Sequence, residues 1–172
     1  AAIAATATHL GLDVVGCGRT GRPVEGFRRV FPVEERHTFA GGLDHLVVVL
    51  PATVETNDLV DTALIERTNP GATLVNVGRG NSVVLSDVVA ALGSGHLSLA
   101  VLDVLPREPL PDGDRLWDVD GLIVTSHTAA WSRPGDVARV FLDNRRRFRE
   151  GAPLEGVIDL VVEGVVVHQR VE

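Results

Sequence analysis

Four short apolar runs, separated by segments of helix length, constrain this chain more than any other feature. They are residues 45–50 (HLVVVL), 73–76 (TLVN), 97–104 (LSLAVLDV) and 122–125 (LIVT). Continuous apolar runs of this length suit strands covered on both faces, the parallel-sheet type. Between them, residues 61–67 read as a short helix with Asp61 as N-cap, and Asn69-Pro70-Gly71 as the turn that follows. A helix is expected around residues 86–92, and a closing one runs to Arg149 with Pro134 in its first turn. Upstream, residues 1–10 predict a helix ended by Gly11, and residues 12–15 a strand. Residues 22–44 read as irregular because Pro23, Gly26 and Pro32 interrupt them. Strands alternating with helices over short links predict an α/β fold built on a doubly wound parallel sheet.

The 172 residues are one domain's worth of chain. A net charge of −7 argues against nucleic acid as a partner. The basic run Arg145–Arg149 (RRRFR) reads as the solvated end of a helix, where cations suit the dipole. No apolar stretch has the length of a membrane span, and no signal peptide is visible. Cys17 is the single cysteine and no metal-ligand motif surrounds it, so no metal is expected and a reducing cytoplasm is the expected compartment.

Three reactive residues, Arg79, Glu108 and His127, each lie just past one of the apolar runs. In an open α/β sheet the ligand crevice lies outside the carboxyl ends of the strands, so all three are expected at one site. Arginine clamps a carboxylate through a planar fork, and histidine passes a proton to a carbonyl oxygen. A glutamate beside that histidine orients it and favours its charged form. The combination suits reduction of a 2-keto acid. Asp103, at the end of an apolar run, is expensive to bury without a partner.

The words around these residues are more specific. Residues 50–56 read LPATVET, 74–80 LVNVGRG, 102–117 LDVLPREPLPDGDRLW and 126–130 SHTAA. In this order they resemble the D-isomer-specific 2-hydroxyacid dehydrogenase family over roughly residues 1–159. The resemblance implies a nicotinamide-dependent oxidoreductase acting on a small 2-keto or 2-hydroxy acid. It puts Arg79 on the substrate carboxylate, His127 as acid/base and Glu108 as its partner. It implies Asp103, Val77 and Gly78 toward the nicotinamide, Pro51 and Thr56 toward the adenosine, and a homodimer for the full-length protein. Ser126 stands where the family usually has proline, which is expected to loosen the setting of His127. A cofactor-binding sensor or corepressor with little catalysis is the alternative, since such relatives keep the same three residues.

The run from Gly16 to Gly21 matches G-x-G-x-x-G, the dinucleotide fingerprint. The fingerprint requires a helix opening at its third glycine and an acid at the end of the next strand. Pro23, Gly26 and Pro32 deny the helix, and the next strand is expected to end at Leu50-Pro51, with no acid there. The opening AAIA followed by HLGLDVVG instead resembles a family member cut just after its last fingerprint glycine. On that register the chain is a partial nicotinamide-dinucleotide domain over residues 1–150, a Rossmann-like sheet lacking its first strand and glycine loop. Residues 151–172 are then a return segment and an unassigned β-prone tail. Arg19 and Thr20 occupy the strand end where NAD-specific members place an aspartate. Arginine there, with Arg22 near, favours NADP(H) over NAD(H) by pairing with the 2′-phosphate. With Arg133-Pro134 after the histidine motif, the chain looks most like the glyoxylate/hydroxypyruvate reductase branch.

Overall fold

In the computed structural model, residues 2–130, 132–157, 160–162 and 165–167 are described. The chain divides into two compact units, Ala1–Ala130 and Trp131–Glu172.

The first unit opens with helix α1 (Ala2–His9), closed by Gly11 at φ +85° as the alanine-rich pattern predicts. That closure draws the Leu12 N–H back to the Ala7 carbonyl at 3.0 Å, so the strand cannot begin at residue 12. It starts instead at Val15: β1 is Val15–Gly18, which makes Gly16-Cys17-Gly18 strand and not loop. A Cβ on Gly16 would stand 2.9 Å from the Phe27 ring, so this glycine serves packing. No helix opens at Gly21, and the fingerprint reading of this run fails on that ground.

Residues 22–44 are more ordered than their prolines and glycines suggest. They hold β2 (Arg29–Pro32), a 3₁₀ turn over Val33–Glu35, and α2 (Arg36–Ala40). β2 pairs in parallel with β1 and ends on Pro32, a position where an edge strand tolerates proline. The next strand after the glycine run is thus β2, followed by Glu34 and Glu35. The expectation that no acid follows that strand was wrong.

A four-stranded parallel sheet then follows in the order β3 (His45–Val48), β4 (Ala72–Asn76), β5 (Leu97–Leu102) and β6 (Leu122–Val124). α3 (Thr62–Ile65) links β3 to β4, with Asp61 accepting the Leu64 N–H at 2.9 Å as its N-cap. α4 (Leu85–Gly93) links β4 to β5. The parallel α/β class is as expected, in two sheets, β1–β2 and β3–β6. One apolar cluster joins Ala40 of α2, Leu64 and Ile65 of α3, and Val88 and Leu92 of α4 to Leu46, Val48, Leu74, Ala100 and Leu102 of the strands. Burial in β3 alternates, so its apolar run is not covered on both faces: Leu46 and Val48 are buried, Val47 is 41% exposed.

The second unit carries α5 (Pro134–Arg149), with Pro134 in its first turn and arginines in its last. It also carries an antiparallel pair, β7 (Leu160–Val162) and β8 (Val165–Val167). The rest of the tail, and Trp131, lie outside the described residues. Among the described residues no helix is long and apolar enough to cross a membrane.

Candidate active site

The carboxyl ends of β4, β5 and β6 carry the three expected groups. Asn76 closes β4 and starts the Arg79 loop. Its side-chain oxygen accepts the Gly78 N–H at 3.0 Å, and its Nδ2 donates to the Arg79 carbonyl at 3.1 Å. The glycines flanking Arg79 are needed for close approach to neighbouring protein backbone. A Cβ on Gly78 would lie 2.6 Å from Leu50 N and O, and one on Gly80 would lie 2.0 Å from Leu105 C. The Arg79 side chain is exposed and donates to the Gly78 carbonyl at 2.7 Å.

Past β5, the Glu108 carboxylate bridges two loops. Oε1 accepts the Leu105 N–H at 2.8 Å, and Oε2 lies 2.9 Å from His127 Nδ1. The hydrogen bond from His127, with that from Leu105 second, holds the Glu108 carboxyl below its usual range. With Nδ1 directed at Glu108, Nε2 is the ring nitrogen left to exchange a proton with a ligand. The imidazole remains 49% exposed, so a ligand can reach it.

Past β6, His127 stands at φ +56°, a left-handed conformation costly for a residue other than glycine. Asp103 holds it there. The His127 N–H donates to the Asp103 carbonyl at 2.9 Å. The buried Asp103 carboxylate accepts from the Thr125 hydroxyl and from the Thr128 and Ala129 N–H groups, each of these last two at 2.9 Å. Burial pushes this carboxyl upward, but the Thr125, Ala129 and Thr128 donors outweigh it and hold the carboxyl below its ordinary value. Asp103, expected toward the nicotinamide, is engaged with the histidine loop. The Asp103 contacts and the Glu108 pair hold the loop that carries Ser126.

The remaining expected residues fall into two groups. Val77 and Gly78 sit at the end of β4 with their N–H groups taken by the Val48 carbonyl and Asn76. Pro51 and Thr56 belong to one turn after β3, where the Thr56 hydroxyl donates to the Pro51 carbonyl at 2.6 Å. Arg19 and Thr20 are exposed just past β1. Glu55, in the same turn as Thr56, has its carboxyl lowered mainly by its own backbone N–H and by Thr53, with a smaller attraction from Arg19. Among the described residues no ion pair engages Arg19 or Arg22. No group of three or more His, Cys, Asp or Glu side chains among them could hold a metal ion.

Sequence reasoning missed Asn76 and Ser82 as supports of the Arg79 loop. An asparagine closing a strand two residues before a glycine was the available signal for the first. Nothing in the sequence marked the second.

Residues 1–129 match the model of the D-isomer specific 2-hydroxyacid dehydrogenase NAD binding domain. The chain belongs to that family. Among solved members of the dehydrogenase family, one from Aeromonas salmonicida is 44% identical with a TM-score of 0.84, covering 91% of this chain and 51% of its own. The NADPH-dependent glyoxylate/hydroxypyruvate reductase from Sinorhizobium meliloti, solved with NADP and sulfate, is 34% identical with a TM-score of 0.84 and the same coverage. Glyoxylate/hydroxypyruvate reductase A of Serratia proteamaculans is 31% identical over 160 residues, 93% of this chain and 51% of that protein. The chain thus spans about half the length of such dehydrogenase relatives.

Proposed function

We propose that the protein carrying this chain is an oxidoreductase that transfers hydride between NADP(H) and a small 2-keto or 2-hydroxy acid of the glyoxylate/hydroxypyruvate kind. The observation that carries this reading is the Glu108–His127 pair, 2.9 Å apart at the carboxyl edge that also holds Arg79. Relatives of similar sequence and fold are named as reductases of such acids, and one was solved with NADP.

The residues fit a phosphorylated dinucleotide. Arg19 is an exposed cation at a parallel strand end, free of ion pairs among the described residues, as a 2′-phosphate needs. Arg19 and Thr20 would take that phosphate, Pro51 and Thr56 would line the adenosine, and Val77, Gly78 and Asp103 would border the nicotinamide. When bound, the reduced nicotinamide supplies the hydride.

The chain's own groups do the rest. Arg79 grips the acid's carboxylate through its planar fork and fixes the carbonyl in place. His127, charged, gives the Nε2 proton to the oxygen as it gains negative charge. Glu108 keeps Nδ1 occupied and the ring oriented. The same reading takes the full-length protein as a cytoplasmic homodimer without nucleic-acid partners, on the strength of the family resemblance, the acidic charge and the single cysteine.

Two results are expected of the full gene product. Arg79→Lys keeps the charge but loses the fork, so kcat/KM for glyoxylate falls at least about tenfold, given ~1.5–3 kcal/mol for a charged hydrogen bond. Cofactor affinity changes little. A variant with unchanged KM for the acid removes Arg79 from substrate binding. Arg19→Asp replaces attraction of a 2′-phosphate by repulsion, so an initial preference for NADPH over NADH reverses. Equal kcat/KM for both cofactors before and after the change removes Arg19 from the site.

A further inference from the structure

The Arg79 carbonyl is the most heavily satisfied acceptor near the site. It takes hydrogen bonds from the Asn76 amide at 3.1 Å, the Ser82 hydroxyl at 2.7 Å and the Ser82 N–H at 3.3 Å. A carbonyl has two lone pairs, so three donors over-determine its place. Both supporting side chains are fully enclosed, Asn76 at 1% and Ser82 at 0% exposure, whereas Arg79, whose backbone they hold, is exposed. Asn76 also fixes the Val77–Gly78 peptide, because its oxygen takes the Gly78 N–H, while the Arg79 guanidinium donates to the Gly78 carbonyl. The peptides before Gly78 and after Arg79 are therefore tied to buried side chains.

Burying an amide and a hydroxyl is costly unless their partners are well placed. A plain strand-ending turn needs only the Asn76–Gly78 bond. The additional donors converge on the one residue of the loop whose side chain faces outward. Given the keto-acid reading above, we propose that Asn76 and Ser82 are positioning residues that fix Arg79 for the carboxylate of the acid. They act through Arg79 and touch neither substrate nor cofactor. An arginine held in register loses less freedom when the acid binds, so the effect falls on acid affinity.

The test is steady-state kinetics on the full gene product, with cofactor Kd and thermal midpoint measured alongside. Ser82→Ala removes one donor at nearly constant volume and is expected to raise KM for glyoxylate about fivefold, the equivalent of one hydrogen bond. kcat and cofactor Kd should stay within about twofold of the unmodified protein. Asn76→Ser, which frees two peptides, should raise KM about tenfold. In an Arg79→Gln background, where no fork remains to be positioned, Ser82→Ala should leave kcat/KM where Arg79→Gln alone puts it. A lowered thermal midpoint with unmoved KM, or the same loss on top of Arg79→Gln, overturns the positioning role and leaves the reductase reading intact. Absence of glyoxylate and hydroxypyruvate turnover by the unmodified protein overturns the reductase reading, and the positioning role with it.

Discussion

Gly80→Ala is expected to destabilise the protein by ~3 kcal/mol or more, the upper end of overpacking costs, and to take the active-site loops apart. The added Cβ would stand 2.0 Å from Leu105 C, 2.2 Å from its oxygen and 2.4 Å from Pro106 N. All three are backbone atoms, so no side chain can swing aside. Either the loop after β4 or the loop after β5 must move. Leu105 cannot move alone, because its N–H is held by Glu108, whose other oxygen faces His127. One methyl group therefore disturbs both halves of the site. Gly93 is the control: nothing lies within 4 Å of its Cβ position, and it ends helix α4. Gly93→Ala should stabilise by ~0.5–1 kcal/mol through helix propensity. Urea unfolding of the two variants checks this. A midpoint for Gly80→Ala equal to that of the unmodified protein would show that the two loops are not packed as described.

Much of this was legible in the chain. The strands ending at Asn76, Leu102 and Val124 were marked by apolar runs, and Asp61 marked a helix start through its capping chemistry. The three reactive residues followed from strand ends, because a parallel sheet collects its carboxyl edges on one side. β2 and α2 were not legible. Each is only a few residues long, and Pro32 looks like a breaker until β1 is seen to take Pro32 as the last paired residue of an edge. The partners of Asp103 were not legible for a different reason. A buried carboxylate announces that partners exist but not which ones, and these lie on a loop more than twenty residues downstream. Ser82 is the extreme case: its partner is three residues away, yet only complete burial distinguishes it from any serine in a turn.

The largest kinetic effect is expected at His127. If it donates the proton, His127→Ala lowers keto-acid reduction by at least ~10²-fold, the lower bound for a positioned general acid. The sign of the pH dependence follows from which forms can act. Only an ionised Glu108 holds the ring for transfer, so reduction is retained at neutral pH and falls as pH drops through the lowered Glu108 value. Glu108, held below the usual carboxylate range by the hydrogen bonds from His127 and Leu105, stays ionised across neutral and mildly acidic pH. A negative partner therefore faces Nδ1 wherever the enzyme works. Glu108→Gln keeps an acceptor for Nδ1–H but removes the carboxylate that titrates. Its rate should be reduced, and the fall at acid pH that the Glu108 carboxyl sets should be absent.

The pH dependence of kcat/KM for NADPH oxidation by glyoxylate, in the unmodified protein, Glu108→Gln and His127→Ala, tests the central claim most directly. The expected result is a rate that falls at acid pH, below the usual carboxylate range, in the unmodified protein, a reduced rate without that fall in Glu108→Gln, and a loss of at least ~10²-fold in His127→Ala. The same acid limb in Glu108→Gln, or a rate in His127→Ala near that of the unmodified protein, would contradict the assignment of proton transfer to this pair.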